Sequence, residues 1–146
     1  VHCAGGRRML AASVEALDKT SHRPLLIGVT VLTSLSQEEL LELGDTRSIE
    51  ERVLSLAALS AACGLDGVVC SALEATALRR ARGEDFCLVT PGIRLAGDDC
   101  GDQRRVVAPA QALAMGSDYL VIGRSITAAS DPLGALERAH GELAAA

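Results

Sequence analysis

Aliphatic runs with the character of buried strands alternate with helical patterns along almost all of this chain of 146 residues. Four such runs, rich in Val, Ile and Leu, lie at residues 25–33, 67–71, 86–90 and 119–122. Because the chain holds one Phe, one Tyr and no Trp, its core has to be built from aliphatic side chains. That composition is typical of parallel strands that are buried on both faces. The alternation therefore predicts an α/β fold.

Helix-start signals stand between these runs. Ser36 with Glu39 and Ser48 with Glu51 have the spacing of a capping box, and Pro109 suits the first position of a helix. The segments 64–69 and 116–122 repeat one pattern, in which a helix-ending glycine and an aspartate precede an aliphatic strand. This repetition predicts stacked β/α units.

A phosphate receptor is the first functional prediction. The loop at 91–103 contains three glycines together with Arg94 and Gln103, and the last aliphatic run continues into Gly123 and Arg124. Glycine leaves backbone N–H groups accessible, and an arginine grips phosphate with two parallel hydrogen bonds. The plainer alternatives are a flexible connection and arginines that solvate a strand end. About a dozen residues without regular structure more often form a binding loop.

The position of these loops selects between two architectures. Four strands and a strand end at Val1 and His2 cannot close an eight-stranded barrel, which takes about 250 residues. The chain is then either a small open sheet or the C-terminal part of a (β/α)8 barrel. In such barrels phosphate is often bound after strands 7 and 8, and here the last two runs carry the candidate loops. We therefore expect residues 1–146 to form a single domain, the C-terminal part of a barrel, with about four complete β/α units.

Composition argues against several classes of partner. The net charge of −5 and the scarcity of aromatic residues disfavour nucleic acid. The five cysteines form no Cys-x-x-Cys pair, so neither a zinc site nor a disulfide framework is expected, and a cytoplasmic location follows. No apolar run approaches the ~18 residues of a membrane span. No carboxylate cluster suggests a bound metal ion.

Catalytic groups are harder to find than binding groups. Thr33, Ser71 and Thr90 end strands, where a hydroxyl either faces a site or caps the next helix. His2 ends the strand stub and could face the same edge, although a lone histidine is more often a hydrogen-bonded structural residue. The single lysine, Lys19, lies in a polar connection. The residues by themselves therefore predict no general base.

The segments Thr-Pro-Gly-Ile-Arg at 90–94, Gly-Asp-Gln at 101–103 and Asp-Tyr-Leu-Val-Ile-Gly-Arg at 118–124 resemble the bacterial type of orotidine 5′-phosphate decarboxylase. Residues 4–6, 29–34 and 64–71 support the likeness, which runs in order and nearly end to end. The resemblance implies a (β/α)8 barrel that works as a homodimer without cofactor. It also implies conversion of orotidine 5′-phosphate to UMP and CO₂ in pyrimidine synthesis.

The resemblance assigns roles to individual residues. The 5′-phosphate would be held by Arg94, Gln103, Gly123 and Arg124. Thr33 would hydrogen-bond the pyrimidine edge, and Pro91 would shape the pocket. The family usually has proline where this chain has Leu95 and Ser125. We expect these two changes to loosen the backbone beside the phosphate with modest effect.

The family's catalytic lysine and its partner aspartates lie on an Asp-x-Lys motif that this sequence lacks. In the family that motif precedes the segment matched by Val1, so the chain reads as a truncated portion with no catalytic residue of its own. We expect it to be inactive alone and to need an N-terminal half-barrel. Two alternatives stay open: a non-catalytic half-barrel that binds nucleotides or sugar phosphates, and a related sugar-phosphate enzyme such as an epimerase or hexulose phosphate synthase.

Overall fold

Four parallel strands form one sheet in the part of the chain that a computed structural model describes, residues 1–95, 97 and 104–144. Their order in the sheet is their order in the chain: β1 (Ile27–Val29), β2 (Gly67–Val69), β3 (Cys87–Thr90) and β4 (Tyr119–Leu120). His2 adds a parallel bridge to Val29 on the outer side of β1. This bridge confirms the predicted strand end at the start of the chain. The strands are shorter than the aliphatic runs that predicted them.

Helices connect the strands and flank the sheet. They are α1 (Gly6–Asp18), α2 (Gln37–Glu42), α3 (Ile49–Ala62), α4 (Ala72–Arg82), α5 (Pro109–Ala114), α6 (Arg124–Thr127) and α7 (Pro132–Ala144), with a 3₁₀ turn at Cys3–Gly5 before α1. Each of the four strands is thus followed by helical structure, as the predicted β/α units require. No helix in the described part of the chain is both long enough and apolar enough to cross a membrane.

Capping boxes begin three of these helices. Both predicted boxes are formed: the side chain of Ser36 accepts the N–H of Glu39 while that carboxylate accepts the N–H of Ser36, and Ser48 and Glu51 do the same. A third box begins α4 at Ser71. Each box satisfies backbone N–H groups that a helix start otherwise leaves without a partner.

The repeated Gly-x-Asp pattern has a structural cause. Asp66 and Asp118 each accept the backbone N–H of a residue near the start of the neighbouring strand, at 2.6 Å in both cases. Each also binds an arginine: Arg23 donates to Asp66 at 3.0 Å and Arg79 to Asp118 at 2.5 Å. The repeat therefore locks successive strands together at the amino edge of the sheet.

The core is aliphatic, as the composition predicts. Its main cluster lies between the sheet and helices α3 and α4 and includes the fully buried Val53, Val68 and Leu78. Gly67 permits the close approach of β2 and β3, because a Cβ at this position would lie 2.0 Å from the carbonyl oxygen of Cys87.

One prediction about the last strand needs correction. The aliphatic run at 119–122 suggested a strand that ends in Gly123 and Arg124, but β4 ends at Leu120 and Arg124 begins the single turn of α6. The physical reason is that the partner strand β3 ends at Thr90, opposite Leu120. One further bond, from the N–H of Val121 to the carbonyl of Thr90 at 2.9 Å, completes the pairing.

Candidate functional site

The segments that carry the predicted phosphate residues leave the same edge of the sheet. Val89 pairs with Tyr119 and Thr90 with Leu120 in parallel register, so β3 and β4 end side by side. The chain then continues through residues 91–94 after β3 and 121–124 after β4. The carboxyl edge of a parallel α/β sheet is where such folds bind ligands.

Arg94 lies on the first of these segments in a fixed backbone. Its N–H donates to the carbonyl of Val107 at 3.1 Å, and the N–H of Val107 donates to the carbonyl of Gly92 at 3.2 Å. A parallel bridge between Ile93 and Val107 results, which closes the base of the glycine-rich loop. The half-buried side chain of Arg94 donates from Nη1 to the carbonyl of Ile93 at 2.9 Å. Pro91, also half-buried, lies between this bridge and β3.

Gly123 and Arg124 lie on the second segment and are both exposed. No heavy atom among the described residues lies within 4 Å of a Cβ built at Gly123. Packing within the described part of the chain therefore does not require glycine at position 123. The open space above Gly123 is a place where a ligand can approach the backbone.

Leu95 brings the two segments together. This side chain is 3% exposed and packs in a cluster with Ala135 and Ala139 of α7 and with Ile122 and Ile126. Leu95 directly follows Arg94 in the chain, and the two isoleucines flank Arg124 on either side. The apolar cluster thus draws both arginine-bearing segments to one region. The leucine found in place of the family's usual proline is part of the packing.

Thr33 lies at the same edge, beyond the end of β1. It is 6% exposed, and its carbonyl accepts the backbone N–H of Arg104 at 3.3 Å. Arg104, which follows the glycine-rich loop, is therefore hydrogen-bonded to Thr33, the predicted pyrimidine-binding residue. Gln103, the remaining predicted ligand, lies outside the described residues, as do Gly101 and Asp102.

One pair of residues at this edge was not predicted from the sequence. Arg105, carried by the segment after the loop, forms a buried ion pair with Glu74 of α4. Burial raises the pKa of the Glu74 carboxyl, and the positive charge of Arg105 opposes that rise. The Ser71–Glu74 capping-box spacing was a usable signal for Glu74. No local pattern links Glu74 to Arg105, which is 31 residues away.

Other polar residues considered from the sequence have structural roles. The hydroxyl of Ser71 accepts the N–H of Leu73 at 3.3 Å, as a helix cap, and that of Thr90 donates to the carbonyl of Tyr119 at 3.3 Å. Lys19 follows α1 and pairs with Glu15 of the same helix at 2.8 Å. Chemically, the guanidinium groups of the described site suit an anion.

The sequence model described as "Orotidine 5'-phosphate decarboxylase / HUMPS family" matches residues 1–139. The chain belongs to this family.

Curated relatives in the orotidine 5′-phosphate decarboxylase / HUMPS family match nearly the whole chain. Proteins named orotidine 5′-phosphate decarboxylase from Hahella chejuensis and Nitrosomonas europaea are 59% identical over 143 residues and 57% identical over 144 residues. These alignments cover 98% and 99% of this chain, but 61% and 62% of the two relatives. The chain therefore spans about three fifths of the length of the curated relatives that it matches.

Solved structures confirm the predicted fold. The crystal structure of orotidine 5′-phosphate decarboxylase from Lactobacillus acidophilus superimposes with a TM-score of 0.80 at 38% identity, covering 98% of this chain and 61% of that one. A structure described as an uncharacterized conserved protein from Geobacillus kaustophilus gives a TM-score of 0.78 at 44% identity over the same shares. The four parallel β/α units are thus part of a (β/α)8 barrel, as the position of the two loops predicted.

Proposed function

We propose that this chain is the substrate-binding portion of an orotidine 5′-phosphate decarboxylase, a carboxy-lyase that converts orotidine 5′-phosphate to UMP and CO₂. One observation carries the proposal: in a member of this family, Arg94 and Arg124 leave the carboxyl ends of two neighbouring parallel strands. Two guanidinium groups at one edge match the charge of a phosphate dianion, and each can form a bidentate pair with its oxygens.

The proposed contacts follow from where the residues lie. Arg94 and Arg124 bind the phosphate from two sides, with the backbone at Gly123 approaching through the open space above it. We assign Gln103 to the same phosphate from its place in the Gly-Asp-Gln segment. Thr33, on the β1 side of the edge, binds the pyrimidine, and Pro91 lines the wall between base and phosphate.

The reaction needs a group that this chain does not supply. When the bond between C6 and the carboxylate breaks, CO₂ leaves and the electron pair remains on C6, which must then take up a proton. In the proposed mechanism a lysine of an Asp-x-Lys motif stabilises this carbanion and donates the proton. We place that motif in the portion of the relatives that this chain does not span. Phosphate binding contributes by positioning the remote end of the substrate, so that binding energy is expressed in the transition state.

We further propose that the complete barrel forms a homodimer and that residues 1–146 are one domain within it. The outer side of β4 supports completion by further β/α units. β4 has an apolar groove of about 360 Å³ beside it, lined by side chains such as Leu120, Ile126 and Leu136. An uncovered strand edge is otherwise a site of unwanted association.

Substrate profiling of the full-length protein tests this function. Orotidine 5′-phosphate should be decarboxylated, while a hexulose phosphate, the other chemistry suggested by the family description, should not react. Reaction of the hexulose phosphate alone would contradict the proposal. Binding of UMP without any turnover would favour the non-catalytic alternative.

A further inference from the structure

A buried ion pair between Glu74 and Arg105 joins distant segments at the carboxyl edge of the sheet. The two side chains are 6% and 10% exposed. Oε1 of Glu74 accepts a hydrogen bond from Nη1 of Arg105, and Oε2 accepts the backbone N–H of Ser71 at 2.7 Å. One carboxylate thus caps α4 and also holds an arginine that follows the glycine-rich loop.

The second terminal nitrogen of this guanidinium reaches the segment that follows β1. Nη2 of Arg105 donates to the carbonyl oxygens of Val31 at 3.2 Å and Leu32 at 3.0 Å. The neighbouring N–H of Arg104 donates to the carbonyl of Thr33 at 3.3 Å. Three hydrogen bonds therefore hold residues 104 and 105 against the segment that carries Thr33.

The segment 104–107, which we call the strap, is also bonded at its far end. Val107 exchanges backbone hydrogen bonds with Gly92 and Arg94, at 3.2 Å and 3.1 Å. The strap therefore runs from Thr33 to Arg94. Its single buried charged anchor is the bond of Arg105 to Glu74.

Stability alone is a poor explanation for this pair. Burying two charges costs solvation energy that their attraction often fails to recover, and apolar replacements of such pairs are frequently neutral or stabilising. Nε of Arg105 is in addition buried with no hydrogen-bond partner among the described residues. What the pair does provide is a fixed geometry, since a planar guanidinium with three partners holds its backbone in one place.

We propose that Glu74 and Arg105 are positioning residues, whose ion pair sets the separation between Thr33 at the pyrimidine end of the site and Arg94 at the phosphate end. This inference rests on the proposed function. A substrate that contacts both ends reacts well only when their separation is correct, and a misplacement of about 1 Å can cost about 10²-fold in rate. Orotidine, which lacks the phosphate, contacts only the pyrimidine end and is less sensitive to the separation.

The experiment compares two substrates in variants of the full-length protein. The ratio of kcat/KM for orotidine 5′-phosphate to kcat/KM for orotidine is measured in Arg105→Met, Arg105→Lys and Glu74→Gln, with long incubations for the slower substrate. A matched control is Arg79→Met, because the Arg79 side chain is also 10% exposed and ion-paired, but with Asp118 at the opposite edge of the sheet.

Arg105→Met should lower the ratio by about 10²-fold. Arg105→Lys should lower it less, because lysine keeps the charge toward Glu74 but loses the planar fork. Glu74→Gln should also lower the ratio, and glutamine is a residue suited to the capping box. This variant tests the proposal even if Arg105→Met does not fold. Arg79→Met should leave the ratio unchanged, since destabilisation reduces the folded fraction for both substrates equally.

An unchanged ratio in the Arg105 and Glu74 variants of an active enzyme would overturn this inference and leave the proposed function intact. An equal fall of the ratio in Arg79→Met would also overturn it. A wild-type protein that does not decarboxylate orotidine 5′-phosphate would overturn the proposed function, and this inference with it.

Discussion

Replacing Arg124 with alanine removes one of the two guanidinium groups that we propose for the phosphate. Arg124 begins α6 and is exposed, and its own backbone carbonyl accepts the N–H of Ala128 at 3.0 Å whatever the side chain is. The helix turn should therefore survive the substitution. Because uridine lacks the phosphate, comparing UMP with uridine separates lost phosphate binding from any change in folding.

The size of the effect follows from exposure. Hydrogen bonds to charged groups contribute about 1.5–3 kcal/mol, and an exposed arginine belongs at the lower end because water competes for its donors. A loss of about 1.5–2 kcal/mol corresponds to about 10–30-fold weaker binding. The loss should shrink as salt is added, since screening already weakens the wild-type contact.

Titration calorimetry of the full-length protein with UMP and with uridine measures this loss. Arg124→Ala should weaken UMP binding by the stated factor and leave uridine binding unchanged, because uridine carries no phosphate. Arg138→Ala is the matched control, since Arg138 is an exposed arginine on the next helix, α7. An Arg124→Ala protein that keeps wild-type affinity for UMP, or loses uridine binding to the same extent, would refute the assignment of Arg124 to the phosphate.

Three further predictions concern stability, each measured by urea unfolding. Gly67→Ala should lower the free energy of unfolding by more than about 4 kcal/mol, because the new Cβ would lie 2.0 Å from a carbonyl oxygen of β3. Gly141→Ala, a control in open space on α7, should instead raise the free energy of unfolding by about 0.5–1 kcal/mol. Leu95→Ala should cost about 2–5 kcal/mol, since this side chain is buried, whereas the exposed Leu133→Ala should cost less than about 0.5 kcal/mol. Hydrogen bonds from Arg47 lower the pKa of Asp45 to about 2 from 3.8. The stabilisation of the fold by the ionised Asp45 is therefore fully present above pH 3.8 and is lost as the pH falls toward 2. The stability difference between wild type and Asp45→Asn should therefore narrow over that range, and a constant difference would contradict the assignment.

Local patterns in the sequence predicted the local structure well. The boxes at Ser36 and Ser48, the helix start at Pro109 and the strand end at His2 are all confirmed. Each depends on residues within a few positions of one another, which a sequence displays directly. The turn of α6 was missed because it spans four residues and has no side-chain cap.

Long-range features of the site were harder to predict from the sequence. The repeated aspartates were visible in the sequence, but their bonds to neighbouring strands were not. The pairing of Glu74 with Arg105 depends on how β1, α4 and the segment after the loop come together, and no spacing rule predicts it. The pyrimidine-binding role of Thr33 was predicted from the family resemblance alone, because a threonine at a strand end can also cap a helix or bond to the backbone. The assignments of Thr33, Pro91, Arg94, Gln103, Gly123 and Arg124 to the substrate stay predictions.

Release of CO₂ from orotidine 5′-phosphate tests whether this chain holds the substrate while another portion transforms it. The assay is run on purified residues 1–146 alone and after addition of a separately expressed portion of the Hahella chejuensis relative from outside the matched segment. This is the portion in which we place the Asp-x-Lys motif. We expect no release by residues 1–146 and turnover once the second portion is added, with less turnover when Arg124→Ala is used. Turnover by residues 1–146 alone would contradict the proposed division of roles.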